Sequence, residues 1–467
     1  MPSIVDVGGH GDGRWTPACI GFIVTPLYPG FPVCQYQDRR LEPETTIKDK
    51  KNRMQNQETD SAGAAGPATS GNPYASRKKA YYALVVLTVV YSFNFIDRQL
   101  LAILQEAVKA DLGLSDTQLG LLTGFAFAAF YVIAGLPIAR WADRANRRDI
   151  VALSLFIWSF MTAISGFVQN YIQLLLARIG VGIGEAGGSP PSHSIISDIF
   201  PPTERASAIG FYSMGVSIGI LFGFLAGGWL NEFFGWRVAF LVVGAPGILL
   251  AIVVRMTVAE PVRGLAEQRQ AASEQVPMKQ VLGVLWSRRS FRHMALGAGL
   301  NAFAGYSVSN WIASFMIRSH GMATGELGTW LAMTIGLGGA VGVFGGGLLA
   351  DRLGVRDKRW YMWLPALGGF ACVPFMVSMY LVSNPYTALI LGIVPGILFN
   401  VYLGNTIATT HGLVGLRMRA LSSAILFLIL NTIGLGMGPW TIGMLSDFLA
   451  PTLGSGSLRY AMVSVLP

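Results

Sequence analysis

Four ionisable side chains lie inside apolar stretches of this chain, where charge is costly. Asp97 and Arg98 occur in the segment "FNFIDRQ", and Arg178 and Glu185 occur in "ARIGVGIGEAGG". Arg178 and Glu185 are seven residues apart, so they share one face of a helix. A charged group exposed to lipid costs several kcal/mol. These groups therefore indicate an ion or substrate pathway, or else an ion pair that only locks two helices together.

The depths of these groups in a membrane follow from the rise of about 1.5 Å per helical residue. Asp97 lies roughly 25 Å from the inner end of its apolar stretch, and Arg178 lies roughly 10 Å from the outer end of its own. In a bilayer roughly 30–40 Å thick these depths overlap, so we expect Asp97 and Arg178 to pair. Glu185 lies deeper, and no basic neighbour is evident for it.

Two glycine-containing segments match catalytic patterns by letter only. Residues 182–187 match G-x-G-x-x-G and residues 215–219 match G-x-S-x-G, but both lie within apolar stretches without a preceding strand. Small residues at helical spacing instead let helices approach closely. No G-x-x-x-x-G-K-[ST] segment and no metal-type Cys/His spacing occurs. We therefore predict no enzyme activity, no metal site and no cofactor.

A charged loop, and a second segment that repeats part of its sequence, suggest a conformational latch. The loop "ARWADRANRR" has the pattern D-R-x-x-R-R, and "GLLADRLG" repeats its Asp-Arg pair 208 residues later. A carboxylate here can face helix N-termini and arginine donors of the other half of the molecule and hold the inner side shut. The alternative is plain loop charge that only sets topology. The predicted latch residues are Asp143, Arg144, Arg147, Arg148, Asp351 and Arg352.

In this loop the chain resembles the major facilitator superfamily, and the resemblance covers residues 80–467. The segments "FNFIDRQ", "RIGVGIGEAGGSPPSHSIISDIFPPTERA" and "GWRVAF" are similar to the spinster-type branch. That branch is associated with export of amphipathic lipids such as lysophospholipids and sphingoid phosphates, and some members are treated as proton-coupled. The resemblance implies that Asp97, Arg98, Arg178 and Glu185 are cavity and coupling residues. The animal members differ at the Gly-Gly-Ser-Pro-Pro that follows, so substrate identity is not carried over.

The apolar stretches of the second half contain amide and aromatic groups instead of charges. Such groups suit an amphipathic ligand, one end of which packs while the other is hydrogen-bonded. Ordinary hydrogen bonding between helices is the alternative reading. The cavity residues that we predict here are Asn301, Tyr306, Asn310, Trp311, Asn400 and Asn405.

The composition places these residues in a membrane. The 467 residues are 52% hydrophobic and only 13% charged, whereas a soluble protein carries roughly a quarter charged residues. The net charge is +9, but the basic residues lie in short loops between apolar runs and not along one stripe. This distribution does not indicate nucleic-acid binding. Apolar runs of membrane-spanning length are predicted at 80–104, 119–139, 149–168, 171–194, 206–229, 236–258, 292–316, 327–349, 362–382, 386–411 and 420–446.

The distribution of Lys and Arg predicts the orientation. With the N-terminus inside, the inner loops hold 20 of these residues and the outer loops hold 4. Positive charge favours the cytoplasmic side, so the N-terminus and the long central loop are predicted to be cytoplasmic. We expect an integral protein of a bacterial-type plasma (inner) membrane that works as a monomer.

The repeat divides the chain into two halves. We predict a disordered tail at 1–75, a six-helix bundle at 76–258, a cytoplasmic linker at 259–291 and a second helix bundle at 292–467. A twelfth run begins near Leu458, and we expect it to be incomplete at Pro467. Met54 precedes a more usual transporter start, so residues 1–53 are expected to be dispensable. The predicted fold class is an all-α membrane protein with two six-helix bundles.

These features together favour a secondary active transporter. It would move a small amphipathic or organic, lysolipid-like substrate by alternating access, with protons as the coupling ion. The alternatives are an uncoupled facilitator, and a receptor or sensor that uses the same scaffold without transporting. A membrane enzyme acting on lipid would need a nucleophile, a base and an orienting group, and the sequence has no such set.

Overall fold

The computed structural model describes residues 73–74, 76–263, 277–415 and 418–466. The predicted tail at 1–75 therefore lies almost wholly outside the described residues, as does part of the predicted linker. Within the described ranges the chain forms helices and turns and contains no strand. In the first half the helices are α1 (Arg77–Leu112), α2 (Asp116–Gly120), α3 (Ala126–Ala142), α4 (Arg147–Ser165), α5 (Tyr171–Glu185), α6 (Ser189–Ile199) and α7 (Pro202–Thr257).

The second half continues the same helical architecture. Eight helical runs among the described residues of the chain are long and apolar enough to span a membrane. The helices of this half are α8 (Met278–Ser287), α9 (Arg289–His320), α10 (Thr324–Leu331), α11 (Gly338–Gly354), α12 (Trp360–Leu381), α13 (Pro385–Leu398), α14 (Tyr402–Gly412), α15 (Arg419–Leu430), α16 (Gly438–Leu453) and α17 (Ser457–Ser464).

Helix α7 contains two of the predicted spans. Its 56 residues would extend about 84 Å if straight, more than twice the thickness of a hydrocarbon core of about 30 Å. Gly235 has φ 80° and ψ 164°, a non-helical conformation that interrupts the run. A residue with a Cβ rarely adopts such a positive φ, so glycine permits the reversal between the two spans.

The fourth predicted span is broken rather than continuous. Helix α5 ends at Glu185, and α6 begins at Ser189 with prolines in its first turn. Proline lacks an N–H and fits the first turn of a helix, which explains why a new helix starts here. The break places the end of α5 at Glu185 itself.

Three spans contain a wider π-helical turn. These turns are Leu121–Phe125 between α2 and α3, Ala332–Leu337 between α10 and α11, and Asn431–Met437 between α15 and α16. The first two occur in the spans that the repeat relates, soon after Gly120 and Gly328. Such bulges frequently accompany functional sites.

Glycines on α7 hold α1 in place. A Cβ added to Gly215 would lie 2.8 Å from the carbonyl oxygen of Thr88, and one added to Gly223 would lie 2.8 Å from Cβ of Gln99. Gly219, between them, is closer still to α1, with a Cβ 2.5 Å from the carbonyl oxygen of Ser92. The G-x-S-x-G pattern therefore forms a helix contact, as predicted, and this contact positions the part of α1 that carries Asp97.

Candidate functional site

The four ionisable groups lie together as two ion pairs in the interior of the first half. Nη1 of Arg178 lies 3.6 Å from Oδ1 of Asp97, and Nη2 of Arg98 lies 2.7 Å from Oε2 of Glu185. The side chains of Asp97, Arg178 and Glu185 are almost fully buried, and that of Arg98 is 14% exposed. Helices α1 and α5 each contribute one acid and one base.

Asp97 is held by a second contact besides Arg178. Oγ1 of Thr162, on α4, donates a hydrogen bond of 2.6 Å to Oδ2 of Asp97. The contact between Asp97 and Arg178 is longer than a hydrogen bond, and Oδ1 of Asp97 accepts no hydrogen bond within the described residues. This carboxylate is therefore only partly satisfied, so a small movement of α5 changes its environment substantially.

Glu185 has a basic partner that the depth argument missed. Nε of Arg98 donates a hydrogen bond of 2.8 Å to Oε2 of Glu185. The expectation that Glu185 lacks a basic neighbour is therefore wrong. The rise along each helix gives depth but not rotation about the helix axis, and Arg98 is turned by about 100° from Asp97.

Aromatic rings surround the arginines. The guanidinium carbon of Arg98 lies 5.0 Å from the ring centroids of both Phe95 and Phe127 and 5.4 Å from that of Tyr131. The guanidinium of Arg178 lies 5.7 Å from the Phe127 ring. The faces of aromatic rings attract cations, so these contacts stabilise two buried guanidinium groups. The aromatic residues were not singled out from the sequence.

A narrow cavity adjoins the arginines and reaches the second half. The cavity has a volume of about 30 Å³, enough for about two waters. Nε and Nη1 of Arg178 have no hydrogen-bond partner among the described residues. The cavity is lined by Phe95, Arg98, Gln99, Thr123, Phe127, Arg178, Tyr306, Ser309, Asn310 and Leu435.

Only two of the six predicted second-half residues line this cavity, namely Tyr306 and Asn310. Trp311 is fully buried, and its Nε1 donates to the carbonyl oxygen of Pro439 at 2.8 Å. The amides of Asn400 and Asn405 donate to carbonyl oxygens four residues earlier in the same helical run, Pro385–Gly412. The amide of Asn301 donates to the carbonyl oxygen of Phe399 at 3.4 Å. For these four residues the alternative reading, hydrogen bonding within and between helices, describes the observed contacts.

Glycines also position the acid on α5. A Cβ on Gly182 would lie 2.8 Å from the carbonyl oxygen of Phe127, and a Cβ on Gly184 would lie 2.7 Å from the backbone nitrogen of Trp158. Helix α5 therefore packs tightly on α3 and α4 just before Glu185. The glycines of the G-x-G-x-x-G letters therefore serve helix packing at these two positions.

A second charged cluster joins the two halves at the opposite end from the inner loops. Arg318, on α9, donates to Glu106 at 2.7 and 2.8 Å and to Asp116 at 2.7 Å through two nitrogens. Nζ of Lys109 also lies 2.5 Å from Asp116. From the sequence alone, Lys109 and Arg318 are placed only among the basic residues of the predicted outer loops. The small number of basic residues on that side was the one feature of the sequence that could have pointed to this cluster.

Two helix N-termini near this cluster are capped by carboxylates from the other half. Oδ2 of Asp447, on α16, accepts from the backbone nitrogen of Thr117 at 2.7 Å. Oε2 of Glu232, on α7, accepts from the backbone nitrogen of Gly325 at 2.6 Å. Thr117 and Gly325 are 208 residues apart, the offset of the internal repeat. The capped backbone positions are therefore related by the repeat, and both caps join the two halves at the end opposite the charged loops.

The six predicted latch residues are not brought together. Asp143 is exposed, and its side chain forms no hydrogen bond or ion pair with any residue in the described ranges. Asp351 accepts from the Tyr361 hydroxyl at 2.8 Å within its own half. Arg144 and Arg352 are exposed. No contact between halves links these residues in the described part of the inner loops.

Arg147 instead ties the inner ends of the first half together. It is 1% exposed, and it donates to Glu260 at 2.7 Å, Ser194 at 2.7 Å and Asp198 at 2.5 Å. The neighbouring Arg148 bonds to Asp149 at 2.9 Å. Arg147 therefore joins the start of α4, the end of α6 and the segment after α7 within one half.

Comparison with known proteins agrees with this architecture. The chain matches the sequence model of the Major Facilitator Superfamily over residues 87–439. It is 33% identical over 409 residues to an MFS-type efflux pump of Mycolicibacterium smegmatis, covering 87% of this chain and 91% of that protein. It is 28% identical over 395 residues to a cis,cis-muconate transport protein of Acinetobacter baylyi, covering 80% of this chain and 91% of that protein.

A solved structure also matches over most of the chain. It is the crystal structure of a bacterial homolog of the human lysosomal transporter Spinster in an inward-facing, unoccupied conformation. The TM-score is 0.74 at 33% sequence identity, covering 84% of this chain and 95% of that chain. The predicted fold class and spinster-like resemblance are confirmed, and the relatives are transporters rather than enzymes, as predicted. The chain is an integral membrane protein that belongs to the major facilitator superfamily.

Proposed function

We propose that this chain is a proton-coupled secondary transporter of a small amphipathic, lysolipid-like substrate, and that it works by alternating access. The observation that carries the proposal is the pair of buried acid–base contacts, Asp97–Arg178 and Arg98–Glu185, beside a cavity between the halves. Ionisable groups inside a membrane protein are costly and mark ion or substrate pathways.

Protons are the coupling ion that best fits this chemistry. Arginine keeps its proton in proteins, so Asp97 and Glu185 are the groups that titrate in each pair. A carboxylate that gains a proton loses most of its attraction for the adjacent guanidinium. Proton uptake would therefore loosen α1 from α5, and proton release would restore both pairs.

The lining of the cavity supports an amphipathic substrate. Phe95, Phe127 and Leu435 offer apolar surface, while Arg98 and Arg178 offer cationic donors for a polar head. A space for about two waters is far smaller than a drug-sized ligand site of about 300–1,000 Å³. The cavity must therefore widen when substrate enters.

The contacts at the two ends support alternating access. At the outer end, Arg318 and the carboxylate caps bind the halves together. At the inner end, Asp143 is exposed and forms no described contact with the other half. We propose that Asp143 and its neighbours close the inner side when the outer contacts break, and that the same motion exposes the central pairs to the other compartment.

We propose that the N-terminus is cytoplasmic and that the working unit is a monomer in a bacterial-type inner membrane. The excess of Lys and Arg in the inner loops supports the orientation. The predicted division into a tail, two bundles and a linker forms part of the same proposal.

A small organic acid is the second candidate substrate. Nε and Nη1 of Arg178 have no hydrogen-bond partner within the described residues, and Arg178 lines the cavity. A carboxylate would satisfy both nitrogens in a bidentate pair. One of the relatives named above transports cis,cis-muconate, a dicarboxylate, which favours the same chemistry.

A transport panel separates these candidates. Purified protein in proteoliposomes is offered lysophospholipids and small dicarboxylates, with and without an imposed proton gradient. The proposal expects gradient-dependent movement of a lysolipid. Movement of dicarboxylates alone would favour the second candidate. Equal movement with and without the gradient would favour an uncoupled facilitator, and binding without movement would favour a receptor or sensor.

A further inference from the structure

Helix α8 differs from the membrane-spanning helices in length and in its connection to them. It has ten residues and ends at Ser287, and the next residue, Arg288, has an extended conformation with φ −88° and ψ 114°. Helix α9 begins at the next residue and runs into the bundle. Ten residues extend about 15 Å, too short to cross a hydrocarbon core of about 30 Å. Residues 292–316 of α9 form one of the predicted membrane spans, so α8 directly precedes the point where α9 is expected to enter the membrane.

The surface of α8 has three distinct faces. Val281 and Leu285 are fully buried in a cluster that contains Phe291 and Leu426. The side chains of Met278, Leu282 and Trp286 are 44%, 43% and 55% exposed. Their spacing of four residues aligns them in one stripe. A third face carries Gln280, Gly283 and Ser287, which are all exposed. One face thus packs on protein, one presents apolar groups and one is polar.

Basic side chains border the apolar stripe. Lys279, Arg288, Arg289 and Arg292 are exposed, and none of their side chains forms an ion pair or hydrogen bond within the described residues. The segment 277–292 contains no Asp or Glu. Tryptophan and long basic side chains are typical of membrane interfaces, where an apolar body and a polar end are both accommodated.

We propose that α8 lies flat in the lipid headgroup region and that its basic residues bind anionic phospholipids. The apolar stripe enters the boundary between headgroups and acyl chains, as in other amphipathic interfacial helices. The exposed side chains of Leu296 and Leu300 on α9 continue this apolar surface into the lipid-facing side of the bundle. The unpaired positive charges complement an anionic leaflet. Basic residues that only set the topology would not require an aligned apolar stripe beside them.

Fluorescence quenching in vesicles of defined composition tests this placement. The three native cysteines are replaced by serine in the full chain, and an environment-sensitive fluorophore is attached to Leu282→Cys or, as the matched control, Ser287→Cys. The vesicles contain phosphatidylcholine with a headgroup-proximal spin-labelled lipid, with or without phosphatidylglycerol. We expect strong quenching at residue 282 and weak quenching at residue 287. Equal quenching at both positions, or quenching of residue 282 only by aqueous iodide, would overturn the proposal.

A charge comparison tests the lipid preference. The variant Arg288→Gln/Arg289→Gln/Arg292→Gln is compared with Arg356→Gln/Lys358→Gln/Arg359→Gln, which removes three exposed charges from another inner loop. The phosphatidylglycerol content at half-maximal quenching of residue 282 should rise at least about fivefold in the first variant, since one near-surface arginine contributes about that factor. It should remain unchanged in the second. An equal rise in both variants would show diffuse attraction and contradict a lipid site on α8.

Discussion

At the scale of single residues, the buried acids differ in how well they are satisfied. Glu185 shares Oε2 between Nε and Nη2 of Arg98, at 2.8 and 2.7 Å. Asp97 has one short hydrogen bond from Thr162 and a longer contact with Arg178. The tighter pair holds α1 to α5 in this conformation, while the looser pair is the one that a small shift can change. We therefore propose that Asp97 couples transport to protons and that Glu185 has a binding role beside Arg98.

The role of Glu185 is tested by Glu185→Gln, which mimics the protonated acid. Binding of a lysophospholipid should weaken, or its pH dependence should shift, because Arg98 loses the charge that orients it. Binding is measured across a pH series in detergent or nanodiscs. Glu326→Gln is the control, since Glu326 contacts Tyr386 rather than the cavity. Unchanged affinity and pH dependence in Glu185→Gln would remove Glu185 from the binding site.

The sequence predicted which ionisable residues lie in the spans and which of them lie at similar depths. It did not predict the rotation of each helix about its axis, and so it did not predict which side chains face each other. Charges in apolar stretches identified all four central residues, because hydropathy makes each of them costly. The estimate of depth matched Asp97 with Arg178. It did not match Arg98 with Glu185, because helix packing sets which faces meet. The same limit explains why Trp311 and Asn405 were assigned to a cavity that they do not line.

At the scale of helices, Arg318 is the main ionic contact between the halves at the outer end. Arg318→Gln leaves Glu106 without its described partner and removes two bonds to Asp116. Labelling of Ser309→Cys in the cavity by an impermeant maleimide from outside should rise by at least about tenfold, equivalent to about 1.4 kcal/mol. Arg237→Gln is the control, since Arg237 pairs with Asp111 within one half. Equal labelling in the two variants would show that Arg318 does not close this end.

The contact between α7 and α10 gives an independent test of closure. A Cβ on Gly328 would lie 3.1 Å from the Cα atom of Gly228 and closer still to the carbonyl oxygen of Phe224. Gly328→Val should therefore separate these helices and increase outside labelling of the cavity. Gly345→Val, in the same span, meets open space and should leave labelling at the level of the parent protein. A result in which Gly345→Val has the larger effect would contradict the assigned interface.

The helices themselves were largely predictable, since runs of about 20 apolar residues have few structural solutions in lipid. The breaks and irregular turns within the spans were not predictable in this way. Glycine and proline in "EAGGSPP" indicated tolerance of irregular backbone, but the sequence did not predict that α5 ends at Glu185. The π-helical turns were not predicted either, because the apolar pattern of a span does not distinguish a π-turn from regular α-helix. Helix α8 was read as part of a linker, because its short apolar stripe resembles loop sequence.

At the scale of the whole molecule, the contacts are asymmetric between the two ends. The outer end is bridged by ion pairs and helix caps, whereas Arg147 organises only one half at the inner end. The internal repeat of 208 residues explains why the two capped backbone positions, Thr117 and Gly325, correspond to each other.

The inner latch is tested by Asp143→Asn. If Asp143 binds the other half in the outward-facing state, its neutralisation should shift the population towards inward-open. Labelling of Ser309→Cys from the cytoplasmic side should then rise, while the fold is kept. Asp149→Asn is the matched control, because Asp149 pairs with Arg148 and Arg255 in its own half. An unchanged labelling pattern would reduce Asp143 to a topology residue.

The central claim is that movement of Asp97 relative to Arg178 couples protons to substrate. The most direct measurement follows proton flux and uptake of a fluorescent lysophospholipid together in proteoliposomes containing the parent protein or Asp97→Asn. The variant cannot exchange a proton at this position, so gradient-driven uptake and coupled proton flux should both be lost, while substrate exchange without a gradient continues. If Asp97→Asn still accumulates substrate against its gradient with an unchanged pH profile, Asp97 is only a structural partner of Arg178.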